Sequence, residues 1–189
     1  MTPMEELLAE RAIERVLLRY ARGVDRLDRD LVERCYWPDA VDHHGAFTGL
    51  REEFIDWAFP LLERHWATMH HLANITVELD PDGVHAGAET YGVAYHCGEP
   101  ADDIRWSNVS GFRYVDAFER RGDEWRIAQR VVAIEFVAPW SPSLAWVERL
   151  GPRLPRRGDR TDPVYDHGRA LRVGERRAGG ARRAGDRGR

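Results

Sequence analysis

The hydrophobic period of this chain changes once, and that change decides its fold class. Up to about Trp66 apolar residues recur at helical spacing; from Met69 to Val137 they alternate with polar ones. A period of 3.6 marks amphipathic helices, and a period of two marks strands with one buried face. Leu8, Ala12, Ile13, Val16, Leu17, Tyr20 and Val24 predict a helix over residues 5–25. A short second helix fits Asp28–Tyr36, with Asp28 or Asp30 as N-cap and Pro38 ending it. AVDHHGAFTG reads as a short strand and turn. A third helix fits Leu50–Trp66, with Phe54, Trp57, Leu61 and His65 on one side and a kink or break at Pro60. Four strands are expected after it, Met69–Leu79, Val84–His96, Trp106–Arg120 and Glu124–Val137, with turn residues at PDG (81–83) and RRGD (120–123).

Helices followed by an antiparallel meander give an α+β order, not the alternation of a parallel α/β fold. The expected architecture is a set of N-terminal helices packed on a curved, mainly antiparallel sheet that encloses a pocket. Seven tryptophans and six tyrosines supply lining for an apolar cavity, Trp57 among them. No Gly-rich phosphate loop follows a strand, which argues against a nucleotide-binding fold. At 189 residues the chain suits one domain with a real core.

No run of eighteen apolar residues exists, so no membrane span is expected. The charged N-terminus shows no signal-peptide core. Cys35 and Cys97 lack the spacing of a disulfide framework or zinc site and read as reduced thiols. These features predict a cytoplasmic protein. The net charge of −4 is uneven: residues 169–189 hold eight arginines against Glu175 and Asp186, a local +6. That stretch is Gly/Ala/Arg low complexity without interleaved aromatics, which favours a solvated, disordered tail over a nucleic-acid binder. Pro-rich sequence with scattered Trp140, Leu144, Trp146 and Val147 precedes it and suggests an arm laid over the domain or a neighbouring subunit, with a short helix at Ser143–Leu150. The expected division is a domain at 1–141, an arm at 142–167 and a tail at 168–189.

Two ionisable patches carry the candidate chemistry: Asp25, closing the first helix, and His70–His71, opening the sheet. A carboxylate that holds an imidazole in one tautomer makes a general base near neutral pH. Asp25 can equally cap the next turn. Alternation from Met69 to Leu79 puts His71 on the buried face, although a bulge would reverse it. Tyr20 precedes Asp25 by five residues, roughly 140° around a helix, so the two share a pocket only if the helix ends near Asp25. Asp42, His43 and His44 look like metal ligands, but neighbours on a strand point to opposite faces, so no metal is expected.

YARGVD in the first helix, WPDAVDHHGAFTG, TMHHLAN at the start of the sheet and FRYVDAFERRGDEWRIAQR across the last hairpin resemble the SnoaL-like branch of the nuclear transport factor 2-like superfamily. The resemblance runs from about residue 5 to 140, and the branch includes or neighbours scytalone dehydratase, the bile acid dehydratase and the hexachlorocyclohexane dehydrochlorinase. It implies a cone-shaped α+β barrel, a homodimer or homotrimer, and cofactor-free acid–base chemistry. It implies that Asp25, His70 and Tyr20 are catalytic, and that Arg113 and Arg130 occupy places where pocket arginines occur. The expected activity is dehydratase-type elimination on a hydrophobic ring or polyketide-like molecule. Isomerisation or cyclisation by the same pair, or a non-catalytic binding or oligomerisation module, are the alternatives.

Overall fold

The computed structural model describes residues 1–99, 103–150 and 157–165. Helix α1 (Pro3–Arg26) opens with a capping box, in which Glu5 N–H donates to the Thr2 hydroxyl and the Glu5 carboxylate accepts from Thr2 N–H. Pro3 sits in the first turn, where its missing N–H costs nothing. Ala9, Ile13, Val16, Leu17, Tyr20 and Val24 bury one stripe; Leu8, expected on that stripe, is exposed because Ala9 takes the inward position.

Helix α2 is only Arg29–Glu33, with Asp28 as its N-cap. Strand β1 (Tyr36–His44) begins where helix was expected and contains Pro38. Pro38 falls in the register shift between Tyr36 and Val41 against the neighbouring strand, where a missing donor costs no ladder bond. Strand β2 (Phe47–Leu50) turns back along β1, and helix α3 (Arg51–Leu62) follows. Pro60 lies within α3, which ends two residues later; His65 and Trp66 are already in strand β3 (His65–Leu79).

β3, β4 (His85–Gly98), β5 (Asn108–Arg121) and β6 (Glu124–Pro139) form the expected meander. Gly83 and Gly122 occupy the left-handed positions of the two tight turns. The sheet order is β2-β1-β6-β5-β4-β3, antiparallel except for the parallel β1–β6 pair. It is an open, mixed six-stranded sheet with β2 and β3 at its edges, not a closed barrel. α1 and α3 lie on its inner face, where Tyr20, Tyr36, Phe54, Phe118 and Ile127 build the core.

One bulge sets which face of β3 looks inward. Asn74 has φ 46° and the pairing with β4 shifts between Ala73 and Ile75. Beyond it Ile75, Val77 and Leu79 are the more buried set; before it His70 and Leu72 are, while Met69 and His71 are exposed. The single-face alternation expected from Met69 to Leu79 is therefore broken at Asn74, and His71 is outside.

Past β6, helix α4 (Leu144–Leu150) matches the short helix expected there. Residues 157–165 run against the end of α1: Arg160 pairs with Asp28, and Arg26 with Asp162. The tail expected at 168–189 lies outside the described residues. Among the described residues, no helix is long and apolar enough to cross a membrane.

Candidate functional site

The inner face of the sheet and the two long helices leave a cavity of about 220 Å³. Val24 and Val32, Phe54 and Trp57, and Phe112 and Tyr114 supply much of its wall. Its polar groups are few: the phenols of Tyr20 and Tyr114, the Trp57 indole, His44, His65, His70, His96 and Ser110. β4 presents small residues inward, Ala86 and Ala88 into the core and Ala94 at the cavity wall. At Gly92 the Phe112 ring comes so close that an added Cβ would lie 2.4 Å from it.

His70 stands in this wall with Asp25 behind it. Nδ1 of His70 is 2.8 Å from Asp25 Oδ1, the His70 backbone N–H donates to Oδ2 at 2.9 Å, and the Thr68 hydroxyl donates to Oδ1 at 2.9 Å. Burial alone would raise the Asp25 carboxyl; the bonds from His70 and Thr68 outweigh it and hold the carboxyl below the ordinary range. An ionised Asp25 accepts from Nδ1–H, which leaves Nε2 as the basic nitrogen of a neutral His70. Asp25 itself does not line the cavity.

Asp25 is still within α1, which ends at Arg26, and the angle between it and Tyr20 keeps them apart: Tyr20 lines the cavity, while Asp25 reaches it only through His70. Tyr20 packs edge-on against Tyr36 and Tyr114, with ring centroids 5.8 and 5.7 Å away. Burial raises its phenol well above the usual value, against the pull of Arg130, so it stays protonated and able to donate.

The two arginines fare differently. Arg113 is on the outer face, paired with Glu89 and Glu135 at 2.7 Å each, because Phe112 and Tyr114 take the inward positions of β5. It does not reach the cavity, which corrects the expectation of a substrate contact. Arg130 is fully buried and forms a two-bonded pair with Asp116, Nε to Oδ1 and Nη2 to Oδ2, both 2.7 Å. Its guanidinium carbon lies 4.2 Å from the Tyr20 ring centroid and 3.9 Å from that of Tyr114. Arg130 therefore backs the tyrosine wall without lining it. Trp57 lines the cavity, with Phe47 stacked on it at 5.1 Å.

Sequence reasoning missed His65 and His96. Their rings lie 5.1 Å apart, and His96 lies 5.6 Å from His70. Burial, then repulsion from His70 and His65, pushes His96 down to about 3; burial and Arg157 lower His65. Both are neutral at physiological pH. The signal for His96 was present, since it continues the small-residue alternation Ala86, Ala88, Thr90, Gly92, Ala94. Of Asp42, His43 and His44, His44 faces the cavity, stacks on Phe54 and lies with Nδ1 3.4 Å from Asp42 Oδ1; Asp42 also accepts from the Tyr36 hydroxyl, while His43 meets Thr48.

The chain matches the SnoaL-like domain family over residues 5–131. Uncharacterised proteins of Mycobacterium tuberculosis H37Rv and Mycobacterium bovis are 25% identical over 134 residues, covering 69% of this chain and 88% of theirs. Among solved structures, a provisionally named scytalone dehydratase from Novosphingobium aromaticivorans superposes with TM-score 0.65 at 16% identity, covering 76% of this chain and 94% of its own. The hexachlorocyclohexane dehydrochlorinase LinA-type3 from Novosphingobium barchaimii does so with TM-score 0.61 at 15% identity, covering 75% and 97%. With its helices, open cone of sheet and family match in agreement, this chain belongs to the SnoaL-like domain family of the nuclear transport factor 2-like superfamily.

Proposed function

We propose that this protein is a cofactor-independent acid–base enzyme that eliminates water from a small, largely apolar ring compound. The observation that carries the reading is the 2.8 Å contact between Asp25 and His70, with His70 facing an apolar cavity and Asp25 behind it. In the elimination, Nε2 of His70 takes a proton from a carbon next to a carbonyl. The electron pair forms the new double bond as the C–O bond breaks, and the departing hydroxyl receives a proton from His70 or Tyr20. The Asp25 carboxylate orients the imidazole and balances its transient charge. His96, held neutral, is placed to donate to the substrate carbonyl oxygen as charge collects there. An apolar wall strengthens each of these contacts by excluding water.

A cavity of about 220 Å³ bounds the substrate. An apolar cavity of about 150 Å³ holds benzene, so one or two rings fit better than a fused four-ring skeleton. Double-bond isomerisation or ring closure would use the same base and the same wall. The outer face of the sheet exposes Met69, Tyr91, Val115 and Val131, which supports assembly into a homodimer or homotrimer.

A panel of one- and two-ring β-hydroxy ketones, assayed for new conjugated absorbance and for loss of water by mass, tests the activity. His70→Ala and Asp25→Asn are expected to lower kcat by about 10² to 10⁴ without losing ligand affinity, and His71→Ala to change little. Turnover that survives in both dyad variants would sink the reading.

A further inference from the structure

The segment 157–165 lies beyond the family match and approaches the Asp25–His70 pair from behind. Arg157 sends its guanidinium under the end of α1. Its Nε donates to Asp25 O at 2.7 Å, Nη2 to Val24 O at 2.7 Å, and Nη1 to Leu62 O at 2.8 Å and His65 O at 3.3 Å. Those carbonyls belong to the last turn of α1, the end of α3 and the first residue of β3. One side chain thus ties together the three elements that meet at the dyad.

We propose that Arg157 is a positioning residue of the dyad, holding the backbone of Asp25 at a set distance from the strand that carries Thr68 and His70. The inference rests on the acid–base reading above. Carbonyls in the last turn of a helix have no partner inside it, and the turn frays unless something outside supplies donors. Asp25 sits in that turn, and all three donors to its carboxylate come from β3. Any drift of α1 against β3 lengthens those bonds together. A planar guanidinium presents donors in a rigid fork and can serve several carbonyls at once; an ammonium is a point charge on a flexible stem.

The rest of the arm keeps Arg157 in place. Gly158 N–H donates to Arg26 O at 2.7 Å, extending the cap, and the Arg22 guanidinium donates to Val164 O at 3.1 Å. Burial pulls the Arg157 guanidinium down to about 10 while Asp25 resists, so it stays charged at neutral pH. That positive charge at the negative end of α1 is itself favourable.

An imidazole N–H bonded to a carboxylate gives a far-downfield proton resonance whose exchange with water reports local opening. The full-length protein, Asp25→Asn, Arg157→Met, Arg157→Lys and Arg160→Met would be compared by proton NMR, with circular dichroism as the check of folding. The wild-type resonance should vanish in Asp25→Asn, which assigns it. Arg157→Met should lose it, and Arg157→Lys should exchange it at least about tenfold faster, since the charge remains but the fork does not. Arg160→Met, which frees the arm from Asp28 yet keeps Arg157, should preserve it. Wild-type exchange in the folded Arg157 variants would overturn the proposal, as would equal loss in Arg160→Met. If Arg157→Met does not fold, Arg157→Lys decides alone by the same readout. Absence of the resonance from the wild type would instead overturn the dyad reading on which the proposal stands.

Discussion

Asp25, behind the cavity wall, and His96, in it, show how one site holds two groups in opposite electrostatic states. Asp25 receives three donors and stays charged despite burial; His96 is buried among His65, His70 and Arg157, whose charges disfavour a proton on it, and stays neutral. The depressed value of His96 has a consequence for stability. Between the unfolded value near 6.5 and the folded value of about 3, the unfolded chain binds a proton that the folded chain does not. Stability therefore falls as pH falls through that window, by up to about 1.4 kcal/mol per pH unit from this one group. His96→Asn should flatten the slope in urea unfolding measured from pH 7 to 4, with His65 retaining a smaller share; an unchanged slope would count against a buried neutral His96. Asp25 and His70 were legible as residue types in the chain. His96 was legible only as one more inward position, because its burial comes from residues far away in sequence.

Strand parity decided more of the site than any motif did. Ile75, Val77 and Leu79, projected backwards by twos, point to His71; the extra residue at Asn74 reverses the choice and turns His70 inward. The same parity argument works without complication on β5, where Phe112, Tyr114 and Asp116 go inward and Arg113 goes out. Cross-strand register then supplies what composition cannot: Asp116 and Arg130 stand directly opposite each other on β5 and β6, both fully buried. Removing one member of such a pair strands the other charge. Arg130→Met should cost about 3–5 kcal/mol in chemical denaturation, and adding Asp116→Leu should recover much of that loss. A double variant no more stable than Arg130→Met alone would show that the stacking of Arg130 on Tyr20 and Tyr114, not the ion pair, holds this wall.

The molecule as a whole presents an inner face that encloses the cavity and an outer face that leaves apolar side chains in solvent. Val115 and Val131 are direct partners on that outer face, and both are exposed. The proposed assembly predicts that Val115→Glu lowers the mass in light scattering toward that of a monomer without disturbing the inner face; an unchanged mass would count against assembly through this face. The order of helices and strands, the Asp28 cap and the hairpin turns were readable in the chain, since each depends on neighbours within a few residues. So was the candidate pair, through its resemblance to a known family. Four matters required the fold: the direction of His70, the burial of Arg130, the neutrality of His65 and His96, and the reach of Arg157 from the arm to the end of α1. Each depends on contacts between residues distant in the chain, and register, a single bulge and desolvation are set only when those segments pack together.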